Sequence, residues 1–169
     1  MAKRGRPDGT GKRSETVTVR FDPHLKYLAE LAARKHRRPL SSFVEWCVEQ
    51  AVSNVVIARD QDHVEVSVAE ADKKLHLWDS DEPERLIRLA TKFPDLLTLE
   101  EQILWRLLVG SGYFWKGRFV HDPPVWAWIA DLPSVEWERV RQHWSLLREV
   151  AAGNRPKSDL PPEPSPNKP

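Results

Sequence analysis

Cysteine is nearly absent from this chain, and long apolar runs are absent altogether. The 169 residues include one cysteine, Cys47. A single thiol cannot close an intramolecular disulfide. Its place on an apolar helical stripe predicts a buried structural residue rather than a redox switch. The first residues are charged and hold no apolar stretch of the kind a signal peptide needs, so a cytoplasmic protein is expected. The longest apolar stretches, such as 103–109, are short and interrupted by Arg106. They leave nothing to span a membrane. The six histidines (His24, His36, His63, His76, His121 and His143) show no close ligand spacing, and Cys47 is remote from all of them in sequence. Neither a metal site nor a cofactor is expected. Gly9-Thr10-Gly11-Lys12 fails as a phosphate-binding loop: Arg6 stands where a glycine is needed, and Arg13 where Ser or Thr must hold Mg²⁺. With no nucleophile–base arrangement and no catalytic glycine turn, the chain does not read as an enzyme.

Charge is present and unevenly placed. The formal net charge is +1, yet residues 1–38 hold eleven Lys and Arg against four Asp and Glu. A basic end joined to an acidic body fits a nucleic-acid-binding head with a separate second module.

Thr16-Val17-Thr18-Val19-Arg20-Phe21 alternates strictly, with Val17, Val19 and Phe21 on one face and Thr16, Thr18 and Arg20 on the other. That is the period of a half-buried strand. A lone strand leaves its backbone unsatisfied, and the simplest partner is the same strand of a second copy. An antiparallel ribbon of two copies would carry Thr, Thr and Arg on its polar face. Such a ribbon fits the DNA major groove, where Arg reads guanine through two hydrogen bonds.

Asp22-Pro23 ends the strand and opens a helix, Asp as N-cap and Pro at the first helical position. Leu25, Leu28, Ala29 and Ala32 make one apolar stripe through about Lys35. The basic run Arg34-Lys35-His36-Arg37-Arg38 suits the negative end of the helix dipole, and Pro39 separates it from a second helix. There Leu40, Phe43, Val44, Cys47, Val48, Ala51, Val52 and Val55 keep helical spacing for four turns.

Strand, Asp-Pro, amphipathic helix, basic turn and amphipathic helix together resemble the ribbon-helix-helix family of dimeric DNA-binding proteins, over about a quarter of the chain. The resemblance implies that Thr16, Thr18 and Arg20 read bases. It implies that Leu40 and Ser41, at the start of the second helix, hold a DNA phosphate with backbone N–H groups. The family often has Gly in the turn and Ser or Thr as the cap, where this chain has Arg37 and Pro39. The backbone clamp is therefore expected to lean on Arg37, Arg38 and Ser41. A protomer of roughly 40 residues is too small to bury a core alone. An obligate homodimer is expected, with Val17, Val19, Phe21, Leu28, Phe43, Val44, Cys47 and Val48 in its core, and with higher-order assembly on adjacent DNA sites.

Ahead of the strand, Lys3-Arg4-Gly5-Arg6-Pro7 resembles the core of an AT-hook. In that motif Arg-Gly-Arg enters the narrow minor groove of A·T-rich DNA. With Lys12 and Arg13, these residues form either a minor-groove arm or a phosphate-seeking one. From Pro7 an extended chain spans roughly 30 Å to Thr16, enough to reach an adjacent groove.

The remainder reads as a second, helical module. Asp81-Glu82-Pro83-Glu84 opens a helix that stops near Phe93-Pro94. Thr98 and Glu101 form a capping box for a helix to Val109, ended by Gly110-Ser111-Gly112. Residues 114–120 read as a small hairpin or a loop. Pro124 is expected to begin a short helix carrying Trp126 and Trp128, and Ser134 to cap a last helix running to about Ala152. Trp105, Trp137 and Trp144 fall on apolar stripes and read as core. Trp115, Trp126 and Trp128, flanked by Gly, Pro or Lys, read as a candidate partner surface.

The expected fold is mainly α: a disordered basic arm (1–15), a ribbon-helix-helix domain (16–57), a connector (58–78), either short strand or helix, a helical module (79–153), and a Pro-rich disordered tail (154–169). The expected partners are double-stranded DNA, a second copy, and a protein bound by the helical module. The expected function is a sequence-specific transcriptional regulator, acting as a repressor in the nucleoid. The alternatives are an accessory DNA-binding protein of plasmid partition or conjugative transfer, and an antitoxin.

Overall fold

The protein is described here by a computed structural model over residues 15–59, 63–120 and 125–162. The arm residues Lys3, Arg4, Gly5, Arg6, Pro7, Lys12 and Arg13 lie outside that range. The described residues are mainly helical, with seven α-helices and two small two-stranded sheets. The chain divides into two compact units, 1–50 and 51–169.

In the first unit, Thr16–Phe21, expected as a strand, forms none in the single chain, where no other described strand pairs with it, and precedes helix α1, Pro23–Lys35. The Asp22 carboxylate accepts from the amides of His24 and Leu25, both at 3.0 Å, so the N-cap works as its sequence predicts. Helix α2 spans Leu40–Val52. Of the described apolar residues here, only Ala33 and Phe43 are buried in the single chain. Cys47, expected to be buried, is exposed. Val17 is 80% exposed and Val19 57%, and Leu25, Leu28, Leu31 and Val48 are exposed as well. One protomer therefore leaves most of its apolar pattern in water.

In the second unit, β1 (Val56–Arg59) pairs antiparallel with β2 (Glu65–Ser67). Ser67 ends the strand and caps α3 (Val68–Leu75) through a full capping box with Glu70. The Ser67 backbone N–H on the Glu70 carboxylate lowers its pKa below the usual value. The connector thus holds both a strand and a helix, because Ser67 switches the chain from one to the other.

Helices α4 (Glu82–Lys92) and α5 (Leu99–Val109) follow, α5 with the expected Thr98–Glu101 capping box. Next come β3 (Gly117–Val120) and β4 (Val125–Trp128), an antiparallel hairpin with Phe119 opposite Trp126. Residues 125–128, expected in a short helix, are therefore a strand. Val125 and the two Trp prefer a pleated surface, and pairing with β3 outweighs the helix-start signal of the proline. The expected last helix is two: α6 (Trp137–Gln142) and α7 (Trp144–Ala151), broken at His143. Ser134 caps neither; it closes a 3₁₀ turn in which its amide donates to Asp131. The chain after Asn154 does not begin as a disordered tail. Lys157–Asp159 forms a 3₁₀ turn, and Leu160 packs against the core.

That core gathers Leu86, Ile87, Leu104, Leu108, Phe114, Trp115, Val140 and Leu147. Trp115, expected at the surface, is 1% exposed and central to it. Its indole N–H donates to the Leu108 carbonyl at 2.7 Å, and its ring meets Trp105 edge-on at 5.9 Å. Trp105, Trp137 and Trp144 are partly buried against the same core. Glycine neighbours misled the surface reading. Gly112 and Gly117 are close-approach sites, where an added Cβ would overlap the rings of Trp128 and Trp126.

Arg141 ties α6 to the start of α4 through Asp81 (2.7 Å) and Glu84 (3.0 Å). Glu82 accepts from the Trp144 indole at 3.1 Å and from Arg148 at 3.4 Å. The acidic start of α4 thus serves packing between helices as well as the helix dipole.

Trp115→Ala should lower unfolding stability by about 3–5 kcal/mol, by cavity formation and loss of an indole hydrogen bond. Trp78→Ala, at a site 73% exposed, should cost no more than about 0.5 kcal/mol. Urea unfolding of the two variants measures the difference, and equal costs would contradict this core.

Candidate nucleic-acid interface

The first unit's polar residues divide by position. Thr16, Thr18 and Arg20 are exposed, ahead of the Asp22 cap. Arg20 has no acidic partner among the described residues, and neither do Arg37 and Arg38, also exposed, between the two helices. In the second unit Arg59, Arg88, Arg118, Arg141, Arg148 and Arg155 each pair with a carboxylate, while Arg85 and Arg139 donate to the backbone carbonyls of Asp79 and Tyr113. Within the first unit, Arg34 pairs with Glu30 on α1. Arg20, Arg37 and Arg38 thus stand exposed beside the elements expected to meet DNA.

The interhelical turn has a definite geometry. The amide of Arg38 donates to the Ala33 carbonyl and that of Arg37 to the Arg34 carbonyl, both at 3.0 Å. Those two bonds form a Schellman ending of α1, whose C′ residue must be left-handed. That residue is Arg37, with φ 53°. Glycine fits this position without strain, whereas a side chain there costs about 1–2 kcal/mol. His76 takes the same left-handed conformation at the end of α3, with φ 48°.

Helix α2 begins immediately after. Its first ladder bond joins the Phe43 amide to the Pro39 carbonyl at 3.0 Å. The amides of Leu40, Ser41 and Ser42 therefore precede the ladder, where a helix N-terminus favours an anion. Ser41 is exposed and Leu40 half-buried. The turn thus brings Arg37, Arg38, Leu40 and Ser41 together in sequence and space.

Sequence reasoning missed one cluster. His36 lies 5.0 Å from Trp46 and 5.6 Å from Phe43, ring centre to ring centre, and Phe43 lies 5.8 Å from Trp46. The Arg38 guanidinium sits over the Trp46 ring at 5.9 Å. The available signal was Phe43-x-x-Trp46, one helical turn apart, directly after the basic run.

The other expected surface is reduced. Trp115 is in the core. Trp126 and Trp128 are half-buried, edge to face at 5.6 Å. An open cleft of about 400 Å³ between α5 and α7 is lined by Glu100, Leu104, Arg148, Glu149 and their neighbours. No group of three or more His, Cys, Asp or Glu among the described residues could hold a metal ion, and no helix there is long and apolar enough to cross a membrane. Comparison of the chain with protein-family models, curated proteins and solved structures returns no match.

Arg37→Gly should raise thermal stability. Relief of the left-handed strain, about 1–2 kcal/mol, exceeds the cost of a more flexible unfolded chain, about 0.4–1 kcal/mol. A net gain of about 0.5–1 kcal/mol is expected in chemical denaturation. Destabilisation by glycine would contradict the left-handed assignment.

Proposed function

We propose that the protein is a dimeric, sequence-specific DNA-binding regulator, acting as a repressor, with a ribbon-helix-helix head. The observation that carries this reading is the exposed apolar face of the first unit: Val17 at 80% and Val19 at 57% alternate with Thr16, Thr18 and Arg20. A strand with this pattern is stable only when its backbone is paired and its apolar side covered. A second copy does both, and the polar side then forms the outer face of a two-stranded ribbon. Arg20, without an acidic partner among the described residues, reads a guanine through the major groove. Arg37, Arg38 and the first amides of α2 hold phosphates on either side.

The accessory role in plasmid partition or transfer uses the same DNA chemistry and differs only in what the second unit binds. Genomic position of the preferred site separates the two, promoter or transfer origin. As an antitoxin, the chain would need a segment that folds on a toxin, whereas its second unit already holds a packed core.

Selection of bound sequences from random duplexes at near-physiological salt tests the proposal. A repeated motif is expected. Arg20→Ala should weaken binding to it by about 1–3 kcal/mol and relax one base position. Enrichment of A·T content alone would leave the arm as the main DNA-binding element, and no enrichment would remove the reading. The melting temperature should also rise with protein concentration, as for any dimer whose protomers share a core. A concentration-independent melting temperature across a hundredfold range would argue for a monomer. Deleting residues 1–13 should flatten the salt dependence by about 0.9 in log–log slope for each phosphate that the arm neutralises.

A further inference from the structure

The cluster of His36, Arg38, Phe43 and Trp46 lies at the turn before α2, and the proposed DNA-binding function makes no use of its rings. We propose that Trp46 is a positioning residue for the DNA backbone: its ring holds Arg38 ready for a phosphate before DNA arrives. This rests on the proposed DNA-binding function.

Three observations support it. First, Arg38 is fixed at both ends. Its amide donates to the Ala33 carbonyl at 3.0 Å, and its guanidinium lies over the Trp46 ring at 5.9 Å. Second, no carboxylate among the described residues competes for it. Third, Trp46 is itself held, half-buried against His36 and Phe43. Trp46 lies on α2, the helix whose first amides precede its hydrogen-bond ladder.

The chemistry favours positioning over sequestration. A Trp ring attracts a guanidinium through its negative face. The N–H donors of the guanidinium lie in its own plane and remain available to phosphate oxygens. An acidic partner would occupy those donors; a ring does not. A free Arg side chain carries substantial rotamer entropy, lost on binding. Trp46 removes part of that loss in advance, which is how preorganisation raises affinity.

The test is a double-mutant cycle on the full chain with its selected duplex: Arg38→Gln, Trp46→Leu and both together, plus Trp46→Tyr, each checked for folding by circular dichroism. From the usual strength of such a cation–ring pair, Trp46→Leu should weaken binding about two- to fivefold per protomer, hence about four- to twenty-five-fold for a dimer. Trp46→Tyr should retain most of the affinity. In the Arg38→Gln background, Trp46→Leu should have no further effect. In the free protein, the Arg38 side-chain protons should be shifted upfield by the ring, and Trp46→Leu should abolish that shift.

An undiminished effect of Trp46→Leu in the Arg38→Gln background would make Trp46 merely structural and overturn the inference, while leaving DNA binding intact. An absent upfield shift would overturn it as well. A wild-type chain that selects no duplex would end both the inference and the function on which it rests.

Discussion

The rest of the first unit depends on an apolar face that its own chain cannot cover. Ala33 and Phe43 are its buried apolar residues in one protomer, while Val17, Val19, Leu25, Leu28, Leu31 and Val48 remain exposed. Full burial of each such side chain contributes roughly 1.5–3 kcal/mol. Covering six of them is comparable with the whole net stability of a small domain, about 5–15 kcal/mol. A second copy supplies the complementary surface without any new sequence. On the proposed reading, pairing two strands and covering two helices are a single event, and it also creates the surface that faces DNA.

The turn between α1 and α2 then decides where the charges stand. A Schellman ending requires a left-handed residue, and Arg37 takes it where glycine would be less strained. Arg38 follows, its amide bonded to Ala33 and its guanidinium over the Trp46 ring, and Pro39 accepts the first bond of α2. Strain, cation and helix start fall within four residues. The second unit is organised differently. Arg141 and Arg148 pair with carboxylates at the start of α4, and the unit's tryptophans, apart from the exposed Trp78, pack against the core or cover glycines. What distinguishes the first unit is that its described residues bury so few apolar side chains, Ala33 and Phe43, beside so many exposed ones.

Local signals were legible in the sequence where short-range chemistry determines structure. Asp22-Pro23 opens α1, and Thr98 with Glu101 opens α5. Structure that depends on distant partners was not legible. Val125–Trp128 became a strand because Gly117–Val120 lies beside it. Trp115 entered the core through a bond to Leu108, seven residues back, and through a bridge to Val135. Its glycine and lysine neighbours carried no trace of either. At the candidate interface, Arg37, Arg38, Leu40 and Ser41 were legible from the basic run and the proline. Trp46 was not, because it lies beside the apolar stripe and its role comes from a three-dimensional contact with Arg38.

Hydrogen exchange across Thr16–Phe21, measured by mass spectrometry over a wide range of protein concentration, tests the central claim most directly. A ribbon shared between two copies predicts slow exchange in this segment at high concentration, giving way to fast exchange on dilution as protomers separate. Fast exchange at every concentration, with α1 and α2 still protected, would mean that the strand has no partner and would contradict the account.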